Sequence, residues 1–297
     1  MSTFYKKAFT LIELLVAIVA IGILSSLIIV SVSGMTSQAN VAKSQFFSDS
    51  LKSQILVNLV SEWRFNGNAN DTQGINNGSA TGATIVNSGC VRDSCYSFDG
   101  AGDYLRMGSN ASLNFTADYT IELFVYNGAG ASTNPTLFNR STQSTTVGYF
   151  WSYTGGTDEV NISYQYSKGT SPYQVITFSN AFPKNKWTYL VFTFTDSDKS
   201  LKFYRNGDLF SPAVTLTNPR TVNTGTLYFG TYNGSTSSSY TFKGRMDEIK
   251  WYSAAMPAHV IKEHYYSSLN SMLAKGTIKA EEYRSLIIEA DSNYARH

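Results

Sequence analysis

Hydrophobic and polar positions divide the chain into four stretches of different period. From Phe9 to Val32 the residues are apolar apart from Thr10, Glu13, Gly22 and three serines, and Lys6 and Lys7 precede them. That run is long enough to predict a membrane-spanning helix over 9–33 whose basic flank stays cytoplasmic and whose C-terminal side lies outside. From Val41 the pattern becomes amphipathic, with Phe47, Leu51, Ile55 and Leu59 on one face and Lys43, Asp49 and Lys52 elsewhere, so a helical stem over 41–59 is expected. After Trp63 the period drops to two. Tyr119–Tyr126, Lys186–Phe194, Leu201–Tyr204 and Thr226–Phe229 read as strands with one buried face, and turn signals such as Asn66-Gly67, Asn77-Gly78 and Asn206-Gly207 separate them. From Pro257 the helical period returns with Val260, Ile261, Tyr265, Leu269 and Leu273. A break at Lys275-Gly276 then precedes a second helix over about 279–294. This hairpin is expected to pack on the head or stem, with contact between subunits as a second use.

The expected class is α+β: a long N-terminal helix, an antiparallel β-sandwich over 60–253 and a helical hairpin over 256–297. Composition adds to this reading. Charged residues make up only 15% of the chain, which favours strands joined by many turns. The formal net charge is +2, equal to the contribution of Lys6 and Lys7, which excludes a broad electrostatic grip on nucleic acid. There is no strong nucleic-acid signal; only a small local strip such as Lys184, Lys186 and Lys202 stays open. Cys90 and Cys95 have four residues between them, a spacing that permits a disulfide in an exported protein. Two thiolates with no histidine nearby supply too few ligands for a closed zinc site.

The segment Lys6-Lys7-Ala8-Phe9-Thr10-Leu11-Ile12-Glu13-Leu14-Leu15-Val16 resembles the leader and mature start of type IV prepilins. The resemblance implies a leader over 1–8, cleavage between Ala8 and Phe9 by a prepilin peptidase, and methylation of the new amine. Ala8 stands where the family usually has glycine, and Val30 where it often has proline. A carboxylate at Glu13 costs roughly 2.5–3.5 kcal/mol in the bilayer unless a cation offsets it. The family supplies one, the Phe9 ammonium of a neighbouring subunit. The implied partners are the chain itself as a helical homopolymer, the peptidase and the pilus assembly machinery. The implied location is the inner membrane first and an extracellular filament afterwards.

Six further segments, in order from Trp63 to Tyr252, resemble the laminin-G-like, concanavalin-A-like jelly roll. They include Ser97-Phe-Asp-Gly-Ala-Gly-Asp-Tyr104, Asn185-Lys-Trp-Thr-Tyr189 and Phe242-Lys-Gly-Arg-Met-Asp-Glu-Ile-Lys-Trp-Tyr252. The resemblance implies an adhesive or carbohydrate-binding head, with Asp71, Asp247 and Asp103 as candidate ligands of a structural calcium. For a glycan or cell-surface ligand the candidates are Trp151, Tyr153, Tyr164 and Tyr166, whose rings combine flat apolar area with a polar handle; the competing role for them is sandwich core. Catalysis is not expected. The two-carboxylate strand motif of jelly-roll glycosidases is absent, and Asp247 and Glu248, as strand neighbours, are expected to face opposite sides. His259 and His264, five apart, miss zinc-protease spacing and read as surface residues. The expected function is a pilus or pilus-like subunit displaying a lectin-like head for adhesion. The alternative is a membrane-anchored carbohydrate-binding or hydrolytic protein that does not polymerise.

Overall fold

The computed structural model describes residues 11–12, 14–21, 56–113, 117–128, 135–141, 147–154, 159–166, 174–217 and 225–294, with the backbone alone for 141–166, 175, 180 and 292–294. The chain forms two compact units, Met1–Val57 and Asn58–His297. In the first, the described residues 11–12 and 14–21 are helical. Among the described residues no helix is long and apolar enough to cross a membrane. Ala8, Phe9 and Glu13, and the stem as far as Ile55, lie outside the described residues. Leu56 and Val57 are helical, and the sandwich begins at Leu59, one residue before the expected boundary.

In the second unit the strands are β1 (Leu59–Trp63), β2 (Ser79–Thr81), β3 (Thr84–Val86), β4 (Cys95–Asp99), β5 (Tyr104–Arg106), β6 (Tyr119–Asn127), β7 (Thr136–Ser141) and β8 (Val147–Thr154). They continue as β9 (Glu159–Tyr166), β10 (Gln174–Pro183), β11 (Trp187–Thr195), β12 (Ser200–Arg205), β13 (Asp208–Leu209), β14 (Val214–Thr215), β15 (Leu227–Phe229) and β16 (Lys243–Tyr252). Two tail helices follow, Ala258–Ala274 and Ala280–Tyr294. One sheet has the order β13-β12-β11-β6-β16-β4-β3, with β1 also on β16 and β14 also on β12; the other has the order β10-β9-β8-β7-β15-β5-β2. All pairings are antiparallel among the described strands.

Period-two alternation places Tyr119, Ile121, Leu123 and Val125 of β6 in the core beside Leu190, Phe192 and Phe194 of β11 and Met246, Ile249 and Trp251 of β16. The layers interlock through edge-on rings, Phe138 against Trp251 and Phe229 against Trp63. Burying a side chain of this size contributes about 1.5–3 kcal/mol. The turn from β12 to β13 has Asn206 and Gly207 both at positive φ, 53° and 87°, the conformation a two-residue hairpin requires.

The expectation of one buried face per strand needs correction for the first sheet. Thr120, Glu122 and Phe124, on the other face of β6, are buried too. The first tail helix lies over that face and buries Val260, Ile261, Tyr265, Leu269 and Met272. Phe124 stacks on Tyr189 at 4.6 Å, and Tyr189 stacks on Tyr265 at 6.0 Å, a ring ladder running from β6 through β11 into the helix.

Candidate ligand-binding cleft

The tail helices do not cover the outer face completely. A cavity of about 440 Å³ remains between them and the sheet, within the size range of small-ligand pockets. Phe124, Tyr126 and Trp187 line its sheet side, together with Lys186 and with Arg205 and Asn206 of the hairpin. Tyr265, Leu269, Met272, Ile278 and Leu286 supply apolar surface from the tail, and Glu282 and Glu289 supply acidic groups. Gly207 at the hairpin tip permits this approach, because an added Cβ would stand 3.3 Å from the Tyr265 Cβ. Burial, then the Glu289 and Asp208 carboxylates, raise the Tyr265 phenol well above its usual range, and Arg205 opposes them.

Three contacts fasten the tail. His264 Nδ1 lies 2.9 Å from Glu122 Oε1, and Lys250 Nζ lies 3.9 Å from Glu122 Oε2. Burial pushes the Glu122 carboxyl up, but the charges of His264 and Lys250 overcome it and hold the group below its ordinary value. His264 is therefore half-buried and paired, not the surface residue expected, because the tail helix turns it onto the sheet. Second, Lys262 Nζ bridges Asp208 Oδ1 at 3.2 Å and the Ala290 carbonyl at 2.6 Å. Third, the turn between the tail helices sits on the loop closed by the expected disulfide, Cys90–Cys95 with Cα atoms 5.6 Å apart. There Thr277 Oγ1 donates to the Cys90 carbonyl and Lys275 Nζ reaches Asp93, both at 2.6 Å.

The candidate calcium ligands hold loops. Asp71 accepts from the amides of Glu62, Gln73 and Asn76. Asp247 accepts from Val91 and Arg92 in the disulfide loop and from Glu248. Asp103 accepts from the Asp99 amide at 2.7 Å. Calcium takes six to eight oxygens, yet both oxygens of Asp71 and of Asp247 already face amide donors. Among the described residues no group of three or more His, Cys, Asp or Glu could hold a metal. The three aspartates do not fit a shared calcium site.

Asp247 and Glu248 depart from strand alternation. The β16–β6 register shifts between Asp247 and Lys250, and Glu248 has φ of 48°, so two residues rather than one separate the core positions Met246 and Ile249. Both carboxylates are buried, and Glu248 Oε2 lies 3.0 Å from Arg92 Nε. Burial, then repulsion from Glu248, raise the Asp247 carboxyl well above its ordinary value. Burial also raises Glu248, against the pull of Lys250 and Arg92.

The side chains of Trp151, Tyr153, Tyr164 and Tyr166 lie outside the described residues. Their backbone register pairs Trp151 with Tyr164 and Tyr153 with Ile162 on β8 and β9. Tyr164 pairs onward with Ile176, and Ile162 with Phe178. Ile176 and Phe178 are core residues, so the register aligns the four aromatic positions with the inner face. Sequence reading did not single out Tyr126, Arg205 or His264 as site residues. Only the aromatic outer positions of β6 and β11 hinted that something covers that face.

With this geometry in view, the family can be stated. A model described as the concanavalin A-like lectin/glucanases superfamily matches residues 99–262, more than half of the chain, and the chain belongs to that family. A second model, the prokaryotic N-terminal methylation motif, matches residues 4–29. No curated protein matches the chain. Among solved structures, domain 4 of AbnA, a GH43 extracellular arabinanase from Geobacillus stearothermophilus in complex with arabinotriose, is similar at 19% identity and a TM-score of 0.53. That match covers 69% of this chain and 97% of the domain. The ligand-binding domain of botulinum neurotoxin serotype D, in complex with N-acetylneuraminic acid, is similar at 14% identity, covering 74% of this chain and 53% of that one, with a TM-score of 0.56. The binding domain of Paraclostridial Mosquitocidal Protein 1 is similar at 16% identity, covering 72% and 53%, with a TM-score of 0.54. The chain spans about half the length of these toxin domains. At such identities the likeness is one of fold.

Proposed function

We propose that this protein is a subunit of a type IV pilus or pilus-like filament that displays a lectin-like sandwich for adhesion outside the cell. The observation that carries the reading is the joining, in one chain, of an N-terminal methylation motif over 4–29 to a concanavalin A-like head. In this reading the leader over 1–8 is removed between Ala8 and Phe9, and Glu13 pairs with the neighbour's Phe9 ammonium as apolar helices pack. The helix holds the chain in the inner membrane before assembly. A disulfide in the head agrees with an oxidising location. Two domains similar in fold, each in complex with a saccharide, support a glycan as the head's ligand.

Intact-mass measurement and electron microscopy of material sheared from producing cells test the reading. The expected result is thin filaments of a chain lacking Met1–Ala8 and carrying one added methyl. An uncut chain confined to membranes refutes it. Glu13→Lys is expected to abolish filaments while the head stays folded.

A further inference from the structure

One end of the head gathers cations and aromatic rings from separate parts of the sequence. Trp187 of β11, Tyr126 of β6 and Arg245 of β16 are register partners across three adjacent strands. All three are half-buried on the sheet's outer face. The Trp187 and Tyr126 rings meet edge to face at 5.8 Å, and the Arg245 guanidinium lies 5.9 Å from the Tyr126 ring centre. The loop before the disulfide fixes this row. Trp187 Nε1 donates to the Gly89 carbonyl at 2.9 Å, and Arg245 Nη1 donates to the carbonyls of Ser88 and Gly89 at 3.0 and 3.3 Å. Gly89 has a positive φ of 67°, and an added Cβ would stand 2.8 Å from Arg245 Nη1 and displace the guanidinium from this position.

Three lysines flank the row. The Asn185 amide bonds the Asn127 carbonyl at 2.7 Å, holding Lys184 and Lys186 against the end of β6. The Gly128 amide bonds the Lys243 carbonyl at 3.1 Å, bringing in the start of β16. Among the described residues none of these lysines forms an ion pair. The nearby acids are Asp99, in register opposite Lys243, and Glu282 and Glu289 on the tail side of the cleft. Fixed aromatic rings among unpaired cations match a chain of flat rings linked by phosphates.

We propose that this end of the head binds single-stranded polynucleotide, with bases stacking at Trp187 and Tyr126 and phosphates lying along Lys184, Lys186, Lys243 and Arg245. The inference does not depend on the chain forming filaments. It assembles two lysines of the strip left open by sequence with residues that sequence kept apart; Lys202, on β12, is not part of it.

The test uses the full chain in nonionic detergent with a fluorescent oligothymidylate of about 15 nucleotides, read by anisotropy across a salt series. Four phosphate contacts predict a slope of log affinity against log salt near −3, from about −0.7 per contact. Lys186→Glu with Lys243→Glu is expected to halve that slope. Trp187→Ala is expected to weaken binding by roughly ten- to a hundredfold, and Trp187→Phe to keep most of it. Absence of binding at low salt overturns the proposal. So does an affinity indifferent to Trp187→Ala, or equal binding of heparin unaffected by that variant, because either reduces the patch to a charge without stacking.

Discussion

Replacing His264 by alanine removes one of two cations from a carboxylate that is 1% exposed. Breaking a buried ion pair from one side costs about 3–5 kcal/mol, since it leaves a charge without compensation. Here Lys250 remains 3.9 Å away and the imidazole is 27% exposed, so the expected cost is about 2 kcal/mol. For a unit of this size that lowers the melting temperature by roughly 4–8 °C. The loss should be local first, so amide exchange in Ala258–Ala274 is expected to accelerate more than exchange in β6. The sign with pH follows from Glu122. Its folded carboxyl sits below the ordinary 4.5, so it contributes stability above that value, lost as pH falls through the lower folded value. Without His264 burial dominates, and the carboxyl takes up its proton at higher pH. The gap between variant and parent is therefore expected to shrink towards pH 3, where Glu122 takes up its proton, and again in alkali, where a neutral imidazole supplies a hydrogen bond but no charge. A denaturant series across that range, closed into a cycle with Glu122→Gln, measures the coupling directly. Equal midpoints at pH 7, or a gap that widens in acid, would refute the reasoning.

Three other outcomes are expected. Glu248 has a folded carboxyl raised above its ordinary value, so the parent loses stability as pH rises through that raised value; Glu248→Gln should melt higher than the parent at pH 8 and with it at pH 4, and a lower melting point at pH 8 contradicts this. Replacing Cys90 and Cys95 together by serine should cost about 2 kcal/mol from the short closed loop and speed protease cleavage near Lys275, whose partner Asp93 lies in that loop. Tyr265→Ala should cost about 3–5 kcal/mol in a urea titration, whereas Tyr265→Phe, keeping the stacked ring, should cost under about 1 kcal/mol.

The inner faces of the strands were legible because they follow a local rule: every second residue of Tyr119–Val125 is large and apolar, and each one is core. The outer faces were not. Thr120, Glu122 and Phe124 mix polar and aromatic groups as a solvated face does, and their cover is a helix more than a hundred residues later. The same gap hid His264, whose meaning depends on Glu122. The bulge at Asp247-Glu248 had no sequence mark, because a glutamate with positive φ carries none of the glycine or asparagine signals that announce such turns. The disulfide was legible because both cysteines sit in one short segment. The aspartates were legible as turn residues and as metal candidates alike, and only the position of the amides around them separates those roles.

The pairing of β1 with β16 also decides how the head bears mechanical load. β1 is the first strand after the chain enters at Asn58, and its register runs from Leu59 opposite Tyr252 to Trp63 opposite Ile249, continued by the Ser253 amide on the Asn58 carbonyl. A pull on the chain at Asn58 along the strand loads these hydrogen bonds in shear, all at once, instead of opening them one after another. Trp63, with no exposed surface, would have to leave the core before the strand could slide. Tension arriving from the N-terminal side therefore meets the head at a long-range strand pair anchored by a buried indole.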